Sequence, residues 1–112
     1  MEKILIIDDN IDFIEYMRFI NAKYRFNMSF STNPSKALKR SDLMLFEKII
    51  VDLHMTPING EDFIKEYKKI GGKAKIILCT SFITEGDDFL GADDGLRKPF
   101  SIEEFKQKLN IN

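Results

Sequence analysis

The chain has 112 residues, 44% hydrophobic and 31% charged with 10 Phe, the proportions of one ordinary globular domain with a real core. Lys and Arg number 17 against 18 Asp and Glu, and the net charge of −1 offers no pull toward nucleic acid or an anionic membrane. No apolar run exceeds four residues, short of a membrane-spanning helix or a signal-peptide core, and one Cys with one His is too few for a zinc site. A single cytoplasmic domain over residues 1–112 is therefore expected, with Cys79 as a small buried hydrophobe.

Lys3 to Ile7 is a β-branched apolar run too short for a helix, which predicts a strand covered on both faces. Phe13, Met17, Ile20 and Tyr24 recur at helical spacing and predict one buried stripe. Met28 and Phe30 alternate with polar residues, as on a half-covered strand near an edge. Asn33-Pro34 reads as an N-cap and first helical residue, opening a short helix to about Arg40. Ile49 to Leu53 is a second β-branched run. Phe63, Ile64, Tyr67 and Ile70 form a second helical stripe, stopped by Gly71-Gly72.

Ala74 to Thr80 predicts a third buried strand and the stretch around Gly95 to Arg97 a further one. Ser101 to Glu104 is a capping box that opens a last helix bearing Ile102, Phe105 and Leu109. Alternating strands and helices imply an α/β fold with a doubly wound five-stranded parallel sheet. Ligands bind such sheets at the carboxyl ends of the strands.

Chemistry is concentrated at those ends. The first strand ends in Asp8-Asp9, another at Asp52, another at Thr80-Ser81, and the last at Lys98-Pro99. Converging carboxylates repel one another and call for a cation, and Mg²⁺ takes a few carboxylate oxygens together with phosphate oxygens. A carboxylate beside the metal can attack phosphorus, while a hydroxyl and an ammonium hold the phosphoryl oxygens. Asp52 is then the nucleophile, Asp8 and Asp9 the metal ligands, and Thr80 and Lys98 the phosphoryl grip.

Each residue also has a plainer reading. Asp8-Asp9 could be acids favoured near a helix N-terminus, Thr80 a β-branched strand residue, and Lys98 a surface lysine or the salt-bridge partner of Asp52. Lys36 to Arg40 and Lys65 to Lys69 are solvated helix faces. Jointly, and in this order, the strand-end residues favour the site.

The pattern resembles the receiver domain of two-component response regulators over essentially the whole chain. The resemblance rests on Asp8-Asp9, Asp52, Gly60 eight residues further on, Thr80, Gly91-Ala92-Asp93-Asp94 and Lys98-Pro99-Phe100. It implies a flavodoxin-like sheet in the order 2-1-3-4-5 flanked by five helices. It also implies Mg²⁺-dependent phosphorylation of Asp52 by a histidine kinase or phosphotransfer protein. The metal would be held by Asp8, Asp9, Asp52 and the backbone carbonyl of His54, whose side chain stands at the mouth of the site. The Lys98-Pro99 peptide is expected to be cis.

Three departures stand out. Gly95 replaces the aromatic residue that swings inward in the family. The glycine- and aspartate-rich stretch before Lys98 predicts a shortened, irregular or mobile fourth helix between about Ile83 and Leu90. Pro57 falls five residues after Asp52 rather than four, with Thr56 in the usual place; a small backbone change is expected there, with the site kept.

The residues after Lys98 suffice for one helix, so a stand-alone or chain-terminal receiver that signals through a downstream protein is expected. The competing reading is a pseudo-receiver, the same fold used as a phosphorylation-independent interaction module. A Mg²⁺-dependent phosphohydrolase of the haloacid-dehalogenase type would need an acid two residues after its nucleophile. Asn10 follows Asp8 at that distance and Ile11 follows Asp9. No turnover of external substrates is expected.

Overall fold

A computed structural model describes residues 2–81 and 88–111. Its strands are β1 (Lys3–Ile7), β2 (Asn27–Ser31), β3 (Lys48–Val51), β4 (Lys75–Thr80) and β5 (Asp94–Arg97). The helices among the described residues are α1 (Ile11–Tyr24), α2 (Pro34–Leu38), α3 (Gly60–Lys69) and α4 (Ile102–Leu109). All strand pairs are parallel and the sheet order is β2-β1-β3-β4-β5, as expected. Of the helix expected between about Ile83 and Leu90, residues 83–87 lie outside the described residues, and 88–90 are not helical.

Side chains alternate across a strand, so a strand apolar at every position feeds two cores. Leu5, Ile7, Ile49, Val51, Ile76 and Leu78 meet Ala37 of α2 and Phe63, Ile64 and Tyr67 of α3 on one face. Ile4, Ile6, Ile50, Ile77, Cys79 and Leu96 meet Ile14 and Met17 of α1 and Phe105 and Leu109 of α4 on the other. No helix among the described residues is long and apolar enough to cross a membrane.

The helices begin where the sequence provides an acceptor for a free backbone N–H. Asn10 accepts from the Phe13 N–H at 3.2 Å, Asn33 from Lys36 at 3.0 Å and Asn59 from Asp62 at 2.8 Å. Ser101 and Glu104 form the reciprocal capping box. Gly71 ends α3 with φ +94°, in the left-handed region that glycine adopts freely.

Several boundaries differ from expectation. In α1 the buried face is Ile14, Met17 and Ile20, with Phe13 and Tyr24 on its partly exposed flanks. The apolar run Leu43 to Phe46 forms a 3₁₀ turn over Leu43–Leu45 that points Leu43 and Phe46 inward and leaves Met44 and Leu45 exposed. Ile70, expected in the α3 stripe, is the C-cap residue and 52% exposed, because the helix has already stopped there. β3 ends at Val51, so Asp52 and Leu53 have left the strand.

Candidate functional site

The register of the sheet aligns its carboxyl edge. Ile7 pairs with Ser31 and Val51, Val51 with Leu78, and Thr80 with Arg97. The residues just beyond these ends therefore meet in one place. The Asp8 N–H donates to the Ser31 carbonyl and the Asp52 N–H to the Ile7 carbonyl, both at 3.1 Å, so two of the acids are held by extensions of the strand ladder.

Asp8, Asp9 and Asp52 each offer a carboxylate oxygen within 4.8 Å of the others. The Asp8 side chain is buried; one oxygen accepts from the Asn10 N–H at 2.9 Å and the other from the Lys98 ammonium. Asp9 is exposed and accepts from the Thr56 N–H at 3.2 Å. Lys98 lies 3.9 Å from Asp52, so its closest carboxylate is Asp8, and the simple Asp52–Lys98 salt bridge gives way to an ammonium shared toward Asp8. Thr80 is buried and lines the same cavity, of about 300 Å³, as Lys98 and the exposed His54. The site residues expected from the strand ends are thus all brought together.

Two backbone features adjoin the site residues. Lys98-Pro99 is cis, as expected, and so is Thr56-Pro57. The Gly60 N–H donates to the Leu53 carbonyl at 2.8 Å, closing the loop after Asp52. A Cβ at Gly60 would stand 2.3 Å from the Asp52 carbonyl oxygen, so this close approach admits only glycine.

Burial pushes the Asp52 carboxyl above its ordinary value, and the Asp8 charge adds to the rise; Lys98, a backbone hydrogen bond at Leu53 and His54 oppose it. Burial also pushes the Cys79 thiol up to about 12, so it is no nucleophile at neutral pH. A larger hollow of about 630 Å³ lies at the other end of the sheet, beside Tyr67, Lys73 and Asp93, and gathers no comparable set of groups.

Two contacts of the site escaped the sequence. Thr56 donates its N–H to Asp9, which a proline in that place could not do; the displaced Pro57 was the available signal. Phe13, assigned to the core by its spacing, places its ring 4.0 Å from the Lys98 ammonium.

Residues 4–110 match the model of the response regulator receiver domain. The chain belongs to that family. It is 28% identical to the nisin biosynthesis regulatory protein NisR of Lactococcus lactis subsp. lactis, with 98% of this chain and 49% of that protein covered. It is 29% identical to the response regulator SaeR of Staphylococcus aureus, with 98% and 50% covered. This receiver domain thus spans about half the length of these curated relatives. Its fold matches the response regulator TrrA of Thermotoga maritima, solved in complex with Mg²⁺-BeF, with a TM-score of 0.84. The two chains are 28% identical, and the match covers 98% of this one and 97% of that one.

The donor set of this receiver suits a hard divalent cation. Three carboxylates converge and a single ammonium reaches two of them, an excess of negative charge in a partly buried place, and all the ligand atoms are oxygens.

Proposed function

We propose that this receiver domain accepts a phosphoryl group on Asp52, in a Mg²⁺-dependent reaction, from a histidine kinase or phosphotransfer protein. The supporting observation is the convergence of Asp8, Asp9 and Asp52 at the carboxyl edge of the sheet, with Lys98 paired to Asp8 and Asp52 and Thr80 in the same cavity.

Asp8, Asp9, Asp52 and the backbone carbonyl of His54 would hold the metal. Bound Mg²⁺ supplies positive charge against the charge gathering on the phosphoryl oxygens. The Asp52 carboxylate attacks phosphorus as the phosphorus–nitrogen bond of a phosphohistidine breaks, and the electron pair leaves with the imidazole nitrogen. Lys98 donates to a phosphoryl oxygen through its ammonium and Thr80 through its hydroxyl. The Lys98 charge also favours the ionised form of Asp52 against the burial that opposes it.

In this reading the chain is a phosphoacceptor and not an enzyme that turns over external substrates. Residues 1–112 form one receiver, it works in the cytoplasm, and its output passes to a downstream protein partner. Calorimetric titration with Mg²⁺ is expected to give one site per chain that is lost in Asp8→Asn. Peptide mapping after incubation with acetyl phosphate and Mg²⁺ is expected to place the label on the peptide bearing Asp52. Absence of Mg²⁺ binding and of label would instead leave a pseudo-receiver, a phosphorylation-independent interaction module.

A further inference from the structure

The Lys98 ammonium has a neighbour that the phosphoryl-transfer scheme does not use. Phe13, on the first turn of α1, presents its ring to the Lys98 Nζ, with 4.0 Å between nitrogen and ring centroid. Only 18% of the Lys98 side chain is exposed, so the ring's negative face acts on a largely desolvated cation. The ring is itself held: it meets Phe100 edge-on, with centroids 6.2 Å apart and planes at 80°. Phe100 in turn stacks on the buried Phe105 of α4 at 5.6 Å. Phe13 therefore has an orientation set by packing, and the lysine comes to it.

We propose that Phe13 is the positioning residue for Lys98, holding the ammonium in the cleft by a contact that the carboxylates do not control. The proposal rests on the reading of Lys98 as a phosphoryl ligand, and its argument is one of competition. Two carboxylates now attract the ammonium, Asp52 at 3.9 Å and Asp8, which is hydrogen-bonded to it. When Asp8, Asp9 and Asp52 serve a divalent cation instead, that attraction weakens and like charges push the ammonium outward. The aromatic face carries no formal charge and binds no Mg²⁺, so its hold on Lys98 survives. An aliphatic side chain of similar size would fill the same space without attracting a cation. Phe13 also walls the acceptor cavity on one side and a neighbouring groove beside Pro99 on the other.

Phe13→Leu keeps the apolar volume and removes the ring, whereas Phe13→Tyr keeps a ring face. In the metal-free protein, the methylene protons next to the Lys98 Nζ are expected to resonate upfield in wild type and Phe13→Tyr, through the ring current. They are expected at ordinary positions in Phe13→Leu. With acetyl phosphate and saturating Mg²⁺, Phe13→Leu is expected to phosphorylate about five- to tenfold more slowly, the size of a partly desolvated cation–π contact. Its Mg²⁺ affinity should stay within about twofold of wild type and Phe13→Tyr should restore the rate, neither of which a general packing defect would produce. Equal rates in Phe13→Leu and Phe13→Tyr would overturn the proposal. So would ordinary Lys98 shifts in wild type, a readout that stands even if Phe13→Leu does not fold. Failure of wild type to accept phosphate would count against the acceptor reading alone, because the resonance shift is measured without phosphate or metal.

Discussion

The two edges of the sheet treat their charged groups in opposite ways. At the amino edge two of the lysines are paired with acids. The buried Lys48 on β3 pairs with Glu2 at 2.6 Å and donates to the Leu109 carbonyl at the end of α4. Lys108 pairs with Asp94 at 3.0 Å, and Lys75 donates to the Lys108 carbonyl at 3.3 Å. At the carboxyl edge, Asp8, Asp9 and Asp52 crowd together and Lys98 pairs with only two of them, leaving negative charge in excess. Charges that neutralise one another locally anchor a helix end, and their loss changes stability. A cluster that neutralises itself only by recruiting a cation is built for chemistry, and its loss changes binding and reactivity first.

The separation should show when each edge is altered alone. Lys48→Ala leaves the Leu109 carbonyl without its donor and Glu2 without its partner. Breaking a fully buried pair costs about 3–5 kcal/mol, and the 42% exposure of Glu2 lowers the expectation here to about 2 kcal/mol. Urea unfolding should report that loss while Mg²⁺ affinity stays unchanged; a parallel loss of Mg²⁺ binding would break the distinction between the edges. Gly60→Ala tests the carboxyl edge through its backbone. The new methyl must displace the Asp52 carbonyl, at a cost of about 1–3 kcal/mol, and here Mg²⁺ affinity and phosphorylation should fall together with stability.

The smallest expected effects sharpen the comparison through their signs. Burial opposes the charge on Asp94, but its hydrogen bonds from Lys108 and the Gly95 N–H and the nearby lysine charges outweigh it, so its carboxyl lies below the ordinary value. Its stabilising contribution is complete above the unfolded carboxyl value of about 3.9 and is lost as pH falls through the lower folded value. The pair is partly exposed, so Asp94→Asn should cost at most about 1 kcal/mol at pH 7. Asp52 has the opposite sign. Its carboxyl is raised, first by burial and then by Asp8, so its ionisation costs stability, and that cost is relieved as pH falls through the raised folded value. With a chelator present, Asp52→Asn should therefore melt higher than wild type at pH 7. A lower melting temperature would mean that the Asp52 carboxylate is compensated in the metal-free state.

Much of this division is written locally in the chain. Strands covered on both faces announce themselves by unbroken β-branched runs such as Ile4 to Ile7, and Asn33-Pro34 and Ser101 to Glu104 mark helix starts by their own hydrogen-bonding chemistry. Residues at strand ends are legible as a site because parallel strands bring those ends to one edge. The 3₁₀ turn at Leu43–Leu45 has no such mark, because a four-residue apolar run fits a strand, a turn or a helix segment equally well. Ile70 continued a helical spacing onto the C-cap, one residue past the end of the helix at Lys69. The contacts of Phe13 with Lys98 and of Thr56 with Asp9 join residues far apart in sequence, and no period or spacing encodes such a meeting. In the same way, the sequence offers Asp52 as a salt-bridge partner for Lys98, while its closer pairing with Asp8 depends on the geometry of the assembled site.

The most direct test of Asp52 as the acceptor is intact-mass analysis of wild type and Asp52→Asn after incubation with acetyl phosphate, with and without Mg²⁺. The account predicts a labile gain of one phosphoryl group in wild type with Mg²⁺, and no gain in wild type without Mg²⁺ or in the variant. A gain that persists in Asp52→Asn, or that does not depend on Mg²⁺, would contradict it.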